Sequence, residues 1–345
     1  MTTMTSGWDI GGAHIKVARC DQHGQLISVI QVACPLWQGI DKLEHAIESI
    51  FDQLDNQHDH TAITMTGELV DIFADRQAGV KEILACLSSY ISPKLIHVYA
   101  AELGWLSTDK AEQNWQHIAS RNWQASATLV ASSVPNGLFI DIGSTTCDII
   151  PLIDGIASPQ AFNDFGRQTS RELLYTGAIR TPLIAISQTA PFNGHLVSLA
   201  AEVFATSGDV WCLLGELSPN SILDASADGQ PWTLSACASR IARLLGTDAN
   251  EADQKSWLQL ARWFAEQQSH QVTEAILQVL SAHPELAANA PLIGAGVGRF
   301  IVKDCAQRLN RPYQDFHEIM SSTDSYVSDH APAVAVALLA KHKLS

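Results

Sequence analysis

Charge is scarce in this sequence, and positive charge is scarcer still. Only 17% of the 345 residues are charged, with 21 Lys and Arg against 36 Asp and Glu, so the formal net charge is −15. No run of lysine and arginine occurs anywhere, which argues against nucleic acid or an anionic membrane surface as a partner. A polyanionic phosphate ligand would have to be met by local hydrogen-bond donors and a metal ion instead. Cysteine is also unhelpful as a staple. The seven cysteines, at positions 20, 34, 86, 147, 212, 237 and 305, form no C-x-x-C pair, and their odd number argues against a disulfide framework. No apolar run is long enough to cross a bilayer, and no basic segment followed by an apolar one opens the chain, so a reducing cytoplasm is the expected location. What remains is 46% hydrophobic residues spread over a length that suits two domains better than one.

Against that background one stretch stands out, F-I-D-I-G-S-T-T-C-D-I-I-P-L from Phe139 to Leu152. Two apolar runs flank a small, hydroxylated turn, which predicts a hairpin of buried strands. Gly143 allows a close backbone approach, and the amides and hydroxyls of Ser144, Thr145 and Thr146 offer an anion-binding concavity. Carboxylates beside a phosphate are repelled unless a cation intervenes, so Asp141 and Asp148 at the flanks predict Mg²⁺. The N-terminal segment G-W-D-I-G-G-A-H-I-K repeats the scheme: Asp9 leads into Gly11, Gly12, Ala13 and His14, and Lys16 follows. Two such turns predict two halves gripping one phosphorylated ligand, with Asp9 and Asp141 as the metal carboxylates.

Between and beyond the hairpins, further residues are candidates. In T-G-E-L-V-D-I-F-A-D-R-Q a strand breaks at Thr66-Gly67 and gives way to a helix, which puts Glu68 at the rim of an α/β sheet and Arg76 further along. The segment Ala111 to Ala131 is expected to be helical, and turn formers at Ser132 to Gly137 mark a domain boundary. Phe162 to Pro182 brings Arg167, Arg171 and Arg180 together around Tyr175 and Thr176, an arrangement suited to bidentate recognition of a carboxylate. In Val203 to Gly215 the charge of Asp209 within an apolar helix predicts a side chain turned toward a cleft. Pro291 to Val302 gives a strand, a turn with Gly294, Gly296 and Gly298, and a helix. Ala331 to His342 is an apolar closing helix expected to pack on the first lobe, so the lobes are expected at 1–135 and 136–330, with 331–345 returning to the first.

The order D-I-G-G, D-I-G-S-T-T, G-A-G-V-G resembles the two phosphate motifs and the adenosine motif of the actin/sugar-kinase/Hsp70 superfamily. Within it, T-G-E-L-V-D, Y-T-G-A-I-R-T-P and F-A-T-S-G-D-V make the chain similar to a hydantoinase/oxoprolinase-related group linked to tetrahydromethanopterin-dependent one-carbon transfer. The resemblance implies an α/β, two-lobed actin-like (ribonuclease H-like) ATPase fold. Where hydantoinase subunits carry D-x-G-G-T-x-T-D, this chain has Lys16 and no following acid, which disfavours amide-ring hydrolysis. The resemblance further implies a condensation in methanofuran synthesis: a furan-methyl diphosphate loses diphosphate as the phenol oxygen of a γ-glutamyltyramine-like acceptor attacks. Under that implication Mg²⁺, Lys16 and the two turns hold the leaving group, and Glu68, or else Asp148, removes the phenol proton. Arg76, Arg167, Arg171, Tyr175, Thr176, Arg180 and the third glycine turn then contact substrate. The rival expectations are a small-molecule kinase, an oxoprolinase-like ATPase and a non-catalytic nucleotide sensor.

Overall fold

The computed structural model describes residues 4–218 and 222–344. Its strands are β1 (Thr5–Ile10), β2 (His14–Cys20), β3 (Leu26–Ala33), β4 (His60–Met65), β5 (Ile96–Tyr99), β6 (Trp105–Leu106), β7 (Gly137–Ile142), β8 (Cys147–Ile153), β9 (Ile156–Ala157), β10 (Leu173–Leu174), β11 (Thr189–Phe192), β12 (His195–Ser198), β13 (Leu292–Ala295) and β14 (Tyr313–Asp315). Its α-helices are α1 (Asp41–Leu54), α2 (Arg76–Tyr90), α3 (Thr108–Ala111), α4 (Asn122–Ala131), α5 (Asp164–Ser170), α6 (Leu183–Ile186), α7 (Ser207–Leu214), α8 (Leu234–Leu245), α9 (Gln254–Ala282), α10 (Arg299–Arg308), α11 (Phe316–Ile319) and α12 (Ala331–Leu344).

The chain forms two compact units. The first holds Met1–Asn136, Leu152–Ser158 and Phe316–Ser345; the second holds Gly137–Pro151 and Pro159–Asp315. In the first, the sheet order is β3-β2-β1-β4-β5-β6: an antiparallel meander followed by β4, which runs parallel to β1. In the second, the order is β10-β8-β7-β13-β14, and β13 runs parallel to β7. Each sheet therefore places a tight hairpin next to a parallel strand reached through helices, the arrangement that puts strand C-termini and their turns at a ligand-binding edge in open α/β sheets.

The sheets owe their stability to apolar strands covered by amphipathic helices. In the first unit Ile15 and Val17 of β2 join Leu43, Ile47 and Ile50 of α1 and Val80, Ile83 and Leu87 of α2 in one core. The other sheet face meets α12, and the approach is close enough that a Cβ on Gly7 of β1 would lie 2.1 Å from the Ala333 carbonyl oxygen. In the second unit Ile140, Ile142 and Ile149 pack with Phe264, Val272 and Ile276 of α9.

Two helical expectations change. Ala111 to Ala131 is not one helix: α3 passes into a 3₁₀ segment, Asn114 and Ser120 leave helical geometry (Ser120 at φ 56), and α4 begins only at Asn122. A β-bridge between Met65 and Ala119 takes the intervening backbone. Likewise Val203 to Gly215 is not helical throughout: α7 starts only at Ser207.

Candidate functional site

The two hairpin turns close in the same way. The Gly11 amide donates to the His14 carbonyl at 2.9 Å, and the Gly143 amide donates to the Thr146 carbonyl at 2.9 Å. Their carbonyls are taken up by the protein. Gly12 O accepts from Leu36 N and Ala13 O from Cys34 N, while Gly143 O accepts from Ala178 N and Ser144 O from both Ile179 N (3.1 Å) and Arg180 N (2.8 Å). A trans peptide holds C=O and the following N–H antiparallel, so inward carbonyls turn the next amides outward. In the first turn these are Ala13 and His14; in the second they are Ser144 and Thr145. Adjacent outward amides make an anion-binding concavity without any formal charge, and the Ser144 and Thr145 hydroxyls, 3.4 Å apart, stand beside them.

Asp9 and Asp141 each precede their turn by one isoleucine. Asp9 is buried and accepts a long hydrogen bond from Asn122 Nδ2 at 3.4 Å. Asp141 is half-buried, and a Cβ on Gly296, at φ +80, would lie 2.4 Å from its Oδ1 and 2.2 Å from the Ile142 carbonyl oxygen. Among the described residues no group of three or more His, Cys, Asp or Glu gathers as a metal cage. One or two carboxylates with phosphate oxygens and waters are, however, what Mg²⁺ ordinarily takes, and both aspartates fit that role.

Glu68 is 1% exposed and accepts from Ser120 Oγ at 2.9 Å. Its 3₁₀ turn is fastened to the first hairpin, since Thr66 N donates to Ile10 O at 3.0 Å. Arg76 opens α2 directly after the N-cap Asp75. Lys16 lies opposite Asp9 in register, but its ammonium donates to the backbone carbonyl of Asp329 at 2.7 Å. That bond engages the expected phosphate cation within its own unit.

The second unit revises the arginine cluster. Arg167 is 1% exposed; its Nη2 donates to Asp148 Oδ1 at 2.9 Å and to the Glu172 carbonyl at 3.0 Å. This ion pair ties α5 to the β8–β10 ladder, so neither partner is offered to substrate or metal. Burial pushes the Asp148 carboxyl above the usual carboxylate range, with Arg167 pulling it back. Arg171 ends α5 in the left-handed region at φ 64. Tyr175 is exposed at 56%, and Arg180 is half-exposed, 4.0 Å from Asp224. Thr176 is buried.

The resemblance implies Gly294, Gly296 and Gly298 as substrate contacts, and in the structure each also has a packing role. Gly294 lies under the Tyr313 ring, Gly296 approaches Asp141 as above, and Gly298 N donates to Ile142 O at 2.8 Å. Arg299 Nη1 donates to Gly296 O at 3.0 Å and its Nε to Asp315. Asp209 does not turn toward a ligand either. It closes a capping box with Thr206, and Arg240 Nε donates to its Oδ1 at 2.7 Å in a buried pair. Burial raises its carboxyl above the ordinary range. Thr206-x-x-Asp209 is the spacing of a helix start, a signal present in the sequence.

Sequence reasoning also passed over Gln268, whose amide reaches Thr176 and Gly177 from α9. Its signal was a polar residue standing in the apolar stripe of that helix.

Comparison with known proteins agrees with this architecture. Residues 59–342 match the family profile of hydantoinase/oxoprolinase. A protein of Methanocaldococcus jannaschii named (4-{4-[2-(γ-L-glutamylamino)ethyl]phenoxymethyl}furan-2-yl)methanamine synthase is 26% identical over 100% of this chain and 99% of its own. A protein of the same name from Methanococcus vannielii is 28% identical over 61% of this chain and 93% of its own. Nucleotide-free acetone carboxylase, from an ATP-dependent carboxylation system, superposes with a TM-score of 0.58 at 10% identity, covering 99% of this chain and 70% of that one. This last likeness is one of fold, the α/β fold of actin-like ATPases.

Proposed function

This chain belongs to the hydantoinase/oxoprolinase family, and from that premise we propose that it is a methanofuran-pathway transferase. It joins a (5-aminomethyl-furan-3-yl)methyl diphosphate to the phenol of γ-glutamyltyramine. The phenol oxygen forms a bond to the furan methylene carbon, the carbon–oxygen bond to diphosphate breaks, and the phenol proton passes to a protein base. Two relatives carry the name of the synthase that makes this aryl ether, one of them alignable from end to end.

The observation that carries the reading is the pair of turns with inward carbonyls and outward amides. Diphosphate leaving from a primary carbon builds charge on its bridging oxygen, and preorganised N–H donors stabilise that charge without reorganising. Ser144 and Thr145 supply amides and hydroxyls in one turn; Gly11, Gly12, Ala13 and His14 form the other. Asp9 beside the first turn and Asp141 beside the second are each placed to take up Mg²⁺ within their own unit, and the ion, when bound, would supply further charge neutralisation to the departing diphosphate. Glu68, buried and set against the first turn, is the base for the phenol proton. Arg180 and Tyr175, exposed beside the second turn, meet the glutamyl end of the acceptor, and Arg171 of the same unit adds a cation for its carboxylates.

Thermal unfolding in the presence of ligands tests this assignment. Inorganic pyrophosphate with Mg²⁺ is expected to raise Tm, and adenosine alone to leave it unchanged. Stabilisation by ATP-Mg²⁺ with none by pyrophosphate would instead favour a kinase or nucleotide switch.

A further inference from the structure

The buried face of α9 is apolar at Trp257, Leu260, Ala261, Phe264, Ala265, Val272, Ala275, Ile276 and Val279. Gln268 interrupts it, 1% exposed. A primary amide in such a place costs free energy unless its donors and acceptor are matched. All three functions are matched here. Nε2 donates to the Gly177 carbonyl at 2.8 Å and to Thr176 Oγ1 at 3.0 Å, and Oε1 accepts from Trp211 Nε1 at 2.8 Å. Ser207 Oγ, at the start of α7, donates to the same Gly177 carbonyl at 2.8 Å.

The far side of that loop is the phosphate turn. The amides of Ala178, Ile179 and Arg180 donate to Gly143 O and Ser144 O, and a Cβ on Gly177 would come within 2.4 Å of Ser144 O and Thr145 N. Gly177 is thus held from behind by a buried amide and pressed in front against the peptide whose N–H faces outward. A shift of this loop moves the Ser144 carbonyl and, through the rigid peptide plane, the Thr145 amide.

We propose that Gln268 is a positioning residue for diphosphate binding: it fixes Gly177 and thereby aims the Ser144 and Thr145 amides, without touching the ligand. The inference rests on the reading that this turn binds phosphate, and two separate readouts keep the two ideas apart. In Gln268→Met the volume is kept and all three hydrogen bonds are lost. Amide exchange at Ala178, Ile179 and Arg180 is expected to speed up about tenfold or more, while amides of α9 itself keep their protection, and affinity for inorganic pyrophosphate with Mg²⁺ is expected to fall about tenfold. Gln268→Glu keeps the acceptor for Trp211 but sets a second acceptor against the Gly177 carbonyl. A buried carboxyl titrates high, and its protonated form can donate again. Loop protection and pyrophosphate affinity in this variant are therefore expected to recover toward wild type as pH falls, measured against the wild-type protein at the same pH. Wild-type exchange at the three loop amides in both variants would overturn the proposal, as would a rise spread evenly along α9 with no pH recovery. Should the wild-type protein fail to bind pyrophosphate, the functional reading falls, while the exchange measurement still decides whether Gln268 holds the loop.

Discussion

At the scale of single residues, two carboxylates that look alike in sequence part company. Asp148 is bonded to a fully buried guanidinium, whereas Glu68 accepts from the neutral Ser120 hydroxyl. Removing the charge of Asp148 strands Arg167 in the interior, and breaking a buried pair typically costs about 3 kcal/mol or more. Asp148→Asn is thus expected to lower the urea midpoint strongly at pH 7. Glu68→Gln keeps an oxygen for Ser120 and should leave that midpoint nearly unchanged. Its effect is expected on turnover, by roughly 10² to 10⁴, because a phenol titrating near 10 needs a base as it attacks. The reverse pattern, a stable Asp148→Asn of low turnover and an active Glu68→Gln, would exchange their roles. Sequence could place both acids at strand ends but could not show that Arg167, 19 positions away, turns into the core. Burial of a long cation depends on what covers it, and that is a tertiary fact.

At the scale of elements, the hairpins and most helices were legible because alternation and 3.6-residue spacing are local signals. The stripe Ile40, Leu43, Ile47, Ile50, Leu54 predicts α1, which spans Asp41–Leu54. Missed features were those set by distant partners. The β-bridge from Met65 to Ala119 breaks the expected long helix, and Arg240 captures Asp209 across 31 positions. The loop Thr176 to Pro182 shows how such partners make a motif. Its glycine is required by contact with the Ser144–Thr145 peptide, its Thr181 hydroxyl accepts from Gly177 N at 2.8 Å, and its amides fill the carbonyls of the second hairpin turn. Gly177→Ala adds one methyl against backbone that cannot swing aside. We expect it to weaken pyrophosphate binding by about tenfold or more and to lower Tm by several degrees, read by calorimetric titration and thermal unfolding. Wild-type pyrophosphate affinity in a folded Gly177→Ala protein would show that this loop does not shape the turn.

At the scale of the whole molecule, a net charge of −15 sets the problem that the site must solve. A protein so acidic repels a diphosphate at long range, and the cations in the chain are largely engaged: Lys16 with Asp329 O, Arg167 with Asp148, Arg240 with Asp209 and Asp228. On the proposed function, binding rests on oriented peptide dipoles of the hairpin turns, with Mg²⁺ as the added positive charge. Both turns belong to a fold shared with ATP-dependent enzymes, so fold alone does not choose between transfer to a phenol and transfer of a phosphoryl group. The choice is made by the product. The purified protein, incubated with Mg²⁺, (5-aminomethyl-furan-3-yl)methyl diphosphate and γ-glutamyltyramine in the absence of any nucleotide, is expected to give the aryl ether by mass spectrometry together with one equivalent of pyrophosphate. Formation of ether only when ATP is added, or a phosphorylated small molecule and ADP in place of the ether, would contradict the account.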